Sequence, residues 1–122
     1  MFSISNDIIT VNRGDSFELP ITLNVGSSIC REKYDLHPQD VIYLGVMEPN
    51  QPFEVALIRK KFTYGDFVSK NKQVVFRFWP EDTVQVLPGK YYYQVKLQTV
   101  DEETGKFDVE TIVNKSLFYI LE

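Results

Sequence analysis

The sequence predicts an all-β protein, an antiparallel β-sandwich of about seven or eight strands. Aromatic residues make up 14% of the chain, and aromatic residues favour sheet. One long segment alternates clearly, and its buried face is expected to carry Tyr91, Tyr93, Val95 and Leu97. Turn residues recur about every 8 to 12 positions, which is typical of short antiparallel strands. The 122 residues suit one domain spanning residues 1–122.

Strands are expected where apolar residues alternate or run together between turn signals. Phe17 to Leu23 alternates, and Pro20 within it predicts a free sheet edge or a bulge, because proline cannot donate to a ladder. Val41 to Met47 is apolar at nearly every position, which predicts a central strand buried on both faces. Further strands are predicted at Phe2–Asn12, Gln73–Trp79, Tyr91–Val100, Lys106–Val113 and Leu117–Leu121.

Four segments between the clear strands have patterns that differ from simple alternation. Phe53 to Phe62 permits an amphipathic helix or a strand, and the all-β context favours a strand over Val55 to Phe62. Thr63 to Asp66 is predicted to be a turn. Pro80 to Thr83 is predicted to form a short helical turn, because proline suits the first helical position and acidic residues suit the helix start. Asp101 to Gly105 is predicted to be a hairpin loop.

Charge and composition argue against several classes of partner. The net charge is −4, so no electrostatic footprint for nucleic acid is expected. No apolar run approaches the roughly 18 residues that span a bilayer, and the N-terminus lacks the features of a signal peptide, so no membrane partner is expected. Cys30 is the single cysteine, which excludes an intrachain disulfide and is typical of a protein made in a reducing cytoplasm.

The residue spacing does not match a catalytic or metal site, so no enzyme activity, cofactor or metal is expected. His37 is the only histidine and lies in a predicted turn, whereas zinc needs three or four ligands. Cys30 would need a neighbouring base and an electropositive setting to act as a nucleophile. The acidic loop at Asp101 to Gly105 does not have the ligand spacing of an EF-hand.

The segment Val86 to Tyr91 resembles the turn that precedes strand F in many immunoglobulin-like sandwiches. In those domains a tyrosine near the start of the strand bonds back to the preceding crossover and forms a tyrosine corner. The resemblance implies an immunoglobulin-like sandwich with Tyr91 at this corner. Its role would be structural, with the ring in the core and the hydroxyl on a backbone partner.

A longer series of motifs resembles the small immunoglobulin-like domains of bacteriophage virion proteins, such as the N-terminal domain of the baseplate upper protein family. The series comprises a Gly-Asp turn at Gly14, a Tyr-Asp-Leu segment at Tyr34, a Pro-Gly-x-Tyr-x-Tyr strand at Pro88 and an acidic-Gly hairpin at Asp101. The order of these motifs extends over most of the chain. The sequence departs from the family in the insertion at Asn24 to Lys33 and in lacking a fibre or coiled-coil region.

This resemblance implies a non-enzymatic structural protein of a phage virion, in a tail, baseplate, neck or collar. It would contact other virion proteins as repeated copies, as a homo-oligomer, after synthesis in the bacterial host cytoplasm. Long irregular insertions are often functional, so contact residues are expected on two loops. They are Val25, Gly26, Ser27, Arg31, Lys33, Pro49, Asn50 and Gln51. The alternative is a carbohydrate- or receptor-binding sandwich that presents Tyr92 and Trp79.

Overall fold

The computed structural model describes residues 3–5, 8–25, 32–33 and 36–122, and within them the protein is mostly β. The described strands are β1 (Ser3–Ser5), β2 (Ile8–Asn12), β3 (Phe17–Ile21), β4 (Asn24–Val25), β5 (Glu32–Lys33), β6 (Val41–Met47), β7 (Ile58–Thr63), β8 (Val74–Phe78), β9 (Gly89–Val100) and β10 (Phe107–Leu121). The described helices are a 3₁₀ turn (Phe53–Val55), α1 (Tyr64–Ser69) and α2 (Pro80–Thr83). Neither α1 nor α2 has the length or apolar character to cross a bilayer.

The described strands form one large sheet and two small ones. The large sheet has the order β1-β2-β10-β9-β6-β7. The small sheet consists of β3 and β8, and a further pair joins β4 to β5. The prediction for Val41–Met47 is confirmed in its central position, because β6 lies between β9 and β7, but burial on both faces is wrong at Val41 and Tyr43, which are only partly buried. β3 pairs with β8 alone among the described strands, which leaves Pro20 on a strand with a free edge.

The large sheet is mixed, so the prediction of a purely antiparallel architecture is wrong at one pair. β2 runs parallel to β10, with Ile9 opposite Phe118 and Val11 opposite Ile120. The Arg13 amide extends this pairing by donating to the Leu121 carbonyl at 2.7 Å. Alternation along a strand shows which residues share a face. It carries no information about the direction of a neighbour, so this pairing depends on the whole chain.

Two local predictions differ from the structure. The predicted strand at Val55–Phe62 begins only at Ile58, because a 3₁₀ turn occupies residues 53–55. The predicted turn at Thr63–Asp66 is instead the start of α1. The Asp66 carboxylate accepts hydrogen bonds from the Thr63 amide and from the Thr63 hydroxyl, both at 3.0 Å. The bond from the Thr63 amide belongs to a capping box, in which the Asp66 amide is in turn paired with the Thr63 side chain, and the box stabilises the helix start by satisfying otherwise unpaired amides.

The C-terminal strand also differs in its bounds. The two strands predicted at Lys106–Val113 and Leu117–Leu121 are one strand, β10, in the structure. Its register against β9 shifts between Thr111 and Val113 and again between Val113 and Ser116. The gap between the two predicted strands is therefore an irregularity within a continuous pairing, since β9 pairs with β10 on both sides of it.

Buried side chains of the small sheet contact those of the large sheet in one hydrophobic cluster. Phe78 of β8 stacks on Phe17 of β3 with a centroid separation of 4.4 Å. On the other side Phe78 lies 6.1 Å from the ring of Phe118 in β10. Phe76 of β8 meets Phe62 of β7 edge-on at 5.9 Å. The expected inward face of β9 is buried, and its members are Tyr91, Tyr93, Val95 and Leu97.

The helical turn α2, predicted from Pro80 to Thr83, is confirmed and joins distant segments. Thr83 is fully buried, and its hydroxyl accepts a hydrogen bond from the Gly14 amide at 2.8 Å. Asp82 accepts from the Trp79 amide at 2.6 Å and from the Lys60 ammonium at 2.5 Å. The short helix thus connects the turn after β2 with β7 and β8.

Candidate functional site

The candidate site lies on the face of the large sheet opposite the buried side chains of β9. We call it the outer face and define it by one cross-strand row, in which Tyr43 is paired with Lys61 of β7 and Lys96 of β9. Lys96 is in turn opposite Thr111 of β10. Directly opposed residues in neighbouring strands point to the same side of the sheet. Residues from four strands therefore come together on this face.

A glycine lets the chain fold back over the outer face. Gly45 occupies β6, and a Cβ atom placed there would lie 2.9 Å from Cε2 of Phe53 and 3.1 Å from Cβ of Ala56. The absence of a side chain thus leaves space for the Phe53 ring against the sheet. The Lys96 ammonium lies 4.9 Å from the centroid of that ring, which is a cation–π distance. The 3₁₀ turn that carries Phe53 therefore forms one wall of a cleft.

The cleft beside this turn has a volume of about 530 Å³ and a strongly basic lining. Arg59, Lys61 and Lys96 contribute cations, and Glu54 is the only acidic residue among the described side chains that line the cleft. Arg59 donates to the backbone carbonyl of Glu54 rather than to its carboxylate. Lys60 also borders the cleft, but its ammonium is neutralised by Asp82 at 2.5 Å.

Exposed apolar side chains continue the outer face towards the β9–β10 hairpin. Val109 lines the cleft opposite Gln98, and 61% of its surface is exposed. Phe107 lies two residues away on the same side of β10 and is 65% exposed. An exposed apolar side chain contributes little to the stability of its own fold. Its burial by a partner would be favourable, because apolar surface would be removed from water. The arrangement combines apolar surface with cations that make no ion pair with a described residue, and it can bind an acidic, partly apolar protein surface.

We expect Gly45→Ala to lower the free energy of unfolding by about 1 kcal/mol. The added methyl group overpacks against Phe53, and this cost exceeds the gain from restricting a glycine in a strand. Denaturant unfolding of the single and double variants measures the effect. In a Phe53→Ala background the penalty should shrink, because the clashing ring is gone and only the contact with the Ala56 Cβ at 3.1 Å remains. An equal penalty in both backgrounds would contradict this packing of Phe53 on Gly45.

The residues predicted from sequence to make contacts fall into two groups. Pro49, Asn50 and Gln51 lie exposed in the loop before the 3₁₀ turn, and the Gln51 carbonyl accepts a hydrogen bond from Lys115 at 2.9 Å. Asn50 has a φ of 70°, which asparagine tolerates in a turn. This loop is thus held against the large sheet by β10.

In the second group, Val25 and Lys33 belong to the short β4–β5 pair, in which Val25 is opposite Glu32 and Lys33 is opposite Asn24. The ends of the predicted irregular loop are therefore regularly paired. Gly26, Ser27 and Arg31 lie outside the described residues, as does Cys30. The involvement of these residues in contacts stays a prediction.

Tyr91 makes a hydrogen bond back along the chain. Its hydroxyl donates to the carbonyl of Leu87 at 2.5 Å, and its ring is buried. Burial raises the pKa of the Tyr91 hydroxyl above its ordinary value, and the negative charge of Glu48 raises this pKa further. A back-bond from a buried tyrosine at a strand start is the contact that a tyrosine corner makes.

His37 lies in a second cleft, of about 640 Å³, which also includes Asp40, Glu102 and Glu110. The Asp40 carboxylate is buried, accepts from the His37 amide at 2.9 Å and lies 3.4 Å from the imidazole Nδ1. These contacts hold a turn in place. Among the described residues, no group of three or more His, Cys, Asp or Glu side chains is placed to hold a metal ion.

The basic part of the outer face could not be predicted from local sequence, because its members are far apart in the chain. Arg59 and Lys61 belong to β7, whereas Lys96 belongs to β9, and only the register of β6 between them brings them together. The available signal was the alternation around Lys96, which predicts an outward position. In comparisons with known proteins, no family matches the sequence, no curated protein matches it, and no solved structure matches the fold.

Proposed function

We propose that the chain is a non-enzymatic structural module that works by protein–protein contact in a repeated assembly of the phage-virion type. The observation that carries this proposal is the outer face, where the exposed apolar Phe107 and Val109 lie next to the basic cleft. Aromatic and arginine residues are enriched in protein interfaces, and exposed apolar patches mark interaction surfaces. The partners would be other virion proteins or further copies of the chain.

The finer fold proposal is an immunoglobulin-like β-sandwich formed by the large and small sheets. It is supported by the aromatic contacts of Phe78 with Phe17 and Phe118, which link the two sheets. The hydrogen bond from Tyr91 to the Leu87 carbonyl is a second supporting feature. The order of the Gly-Asp, Pro-Gly-Tyr and acidic-Gly motifs supports the assignment to a phage tail, baseplate, neck or collar.

The aromatic residues considered for carbohydrate binding have cationic neighbours. The Arg77 guanidinium lies 4.5 Å from the centroid of the half-exposed Trp79 ring. Tyr92 is half-buried, and the Lys90 ammonium lies 5.7 Å from its ring. Arg77 covers part of the platform on which a sugar would stack, so these contacts favour the protein-contact function. Carbohydrate binding stays a prediction.

The proposal is tested by finding where the chain resides after infection. Particles are purified on a density gradient from a culture producing the phage that encodes this chain, and their proteins are quantified by mass spectrometry. We expect the chain at a fixed copy number relative to a tail or capsid protein. A phage-encoded replication enzyme present in the same lysate is the control. A chain abundant in the lysate but absent from the particles would contradict a virion role.

A further inference from the structure

The outer face carries cations that have no carboxylate partner among the described residues. Within the part of the chain that the structure describes, Arg59, Lys61 and Lys96 make no ion pair, whereas neighbouring Lys60 is paired with Asp82. Three cations around one cleft repel each other, and they do so in a protein whose net charge is −4. An acidic surface placed there would relieve this repulsion.

The β9–β10 hairpin carries the complementary charge. Its loop is held by Asp101, whose carboxylate accepts from the amide of Glu103 at 2.9 Å and whose carbonyl accepts from Gly105 at 2.7 Å. The side chains of Glu102 and Glu103 are exposed, and neither makes an ion pair with a described residue. Phe107 follows the loop and is 65% exposed. The hairpin therefore presents acidic and aromatic groups together on a structured turn.

The hairpin of one molecule does not neutralise its own basic cleft. Lys96 and Glu102 are six residues apart along β9 and its loop, which corresponds to roughly 20 Å in an extended strand. The Debye length at physiological ionic strength is about 8 Å, so their attraction within one molecule is largely screened. Both sets of charges remain available to a second molecule.

We propose that the basic cleft of one copy of the chain binds the acidic β9–β10 hairpin of a second copy. Glu102 and Glu103 meet Lys61 and Lys96, and Phe107 of the hairpin packs against the aromatic lining of the cleft. Each copy has one hairpin and one cleft, so the contact joins two different surfaces and can repeat from copy to copy. This inference rests on the proposed function, because it identifies the second copy as the partner in the assembly.

The experiment uses two charge-reversal variants, whose masses are measured by analytical ultracentrifugation. The face variant is Lys61→Glu/Lys96→Glu, and the hairpin variant is Glu102→Lys/Glu103→Lys. We expect the wild-type chain to self-associate at low salt and to dissociate as salt is raised, because the contact is electrostatic. Each variant alone should associate at least about 100-fold more weakly, because like charges then oppose each other.

Mixing the two variants provides the decisive measurement. The acidic hairpin of the face variant meets the unchanged basic cleft of the hairpin variant, and the reversed hairpin meets the reversed cleft. We therefore expect the mixture to recover association near the wild-type level, while each component alone stays monomeric. A mixture that stays monomeric, or a wild-type chain that is monomeric at low salt and high concentration, would overturn the proposal.

A matched control separates this contact from general charge effects. The control variant Lys72→Glu/Lys90→Glu changes the net charge as much as the face variant, and both of its sites are exposed. Lys90 lies six residues from Lys96 on β9, roughly 20 Å away. It should associate like the wild type, and a loss equal to that of the face variant would contradict the assigned surface. A chain found in particles but monomeric in solution would leave the proposed function standing and reject only the contact between copies.

Discussion

Phe78→Ala is expected to lower the free energy of unfolding by about 3 to 5 kcal/mol, which is the range for removing a buried phenylalanine. Phe78 is fully buried and lies between the two sheets, stacked on Phe17 at 4.4 Å and 6.1 Å from Phe118. The Lys60 ammonium also lies 5.2 Å from its ring. Truncation leaves a cavity where the small sheet contacts the large one, and Phe17 loses its stacking partner.

Urea unfolding followed by circular dichroism measures this loss. A domain of this size is typically stable by about 5 to 15 kcal/mol, so a loss of this size should lower the urea concentration at the unfolding midpoint markedly. At high salt, where the contact proposed between copies is dissociated, Phe107→Ala is the matched control, because Phe107 is 65% exposed and its truncation should change stability by only about 0.5 kcal/mol. Equal losses for the two variants would show that Phe78 does not connect the sheets as described.

Tyr91→Phe is expected to lower the free energy of unfolding by roughly 1 to 2 kcal/mol near neutral pH. The substitution keeps the buried ring and removes the hydroxyl, so the Leu87 carbonyl loses a hydrogen bond of 2.5 Å. Tyr92→Phe on the outward side of the same strand is the control and should have an effect within about 0.5 kcal/mol. An unchanged free energy of unfolding in Tyr91→Phe would contradict a stabilising hydrogen bond from Tyr91 to the Leu87 carbonyl.

The pH dependence of the free energy of unfolding gives a second test of the Tyr91 hydroxyl. The pKa of Tyr91 in the folded protein is raised by burial, and further by the charge of Glu48, above the value of about 10 for an unfolded tyrosine. The neutral hydroxyl is therefore favoured by folding. Its stabilising contribution is complete below pH about 10 and is lost as pH rises through the folded pKa.

Unfolding free energies at about pH 8 and about pH 11 test this sign. The wild-type protein should lose more stability over this interval than Tyr91→Phe, because the variant has no hydroxyl to ionise at this position. The difference between the two proteins should therefore shrink at high pH. A difference that grows with pH would mean that folding favours the ionised tyrosine, contrary to its buried setting.

Local sequence patterns predicted those strands and the short helix whose position or burial depends on a few neighbouring residues. Alternation along β9 predicted the burial of Tyr93 and Val95, because side chains in a strand point to opposite faces in turn. The continuous apolar run of β6 predicted a central strand, and β6 lies between two neighbours, although Tyr43 on its outer face is only partly buried. Proline and two acidic residues predicted the short helix α2.

The turn predicted at Thr63 to Asp66 is wrong, although this short segment contains the sequence signal of a helix start. Thr63 and Asp66 have the spacing of a capping box, and in the structure they begin α1 rather than a turn. The Gly65 between them favoured the interpretation as a turn. The side-chain hydrogen bonds from Thr63 to Asp66 outweigh the low helix propensity of this glycine.

The sequence by itself determined that the protein is mostly β and which faces of its clearest strands are buried, since both follow from alternation within a few residues. Only the tertiary structure decided the parallel pairing of β2 with β10 and the joining of Lys61 to Lys96 across β6. Strand direction and register depend on which distant segments pair. The packing of the whole core decides which segments pair, so the pairing cannot be predicted from any single segment of the chain.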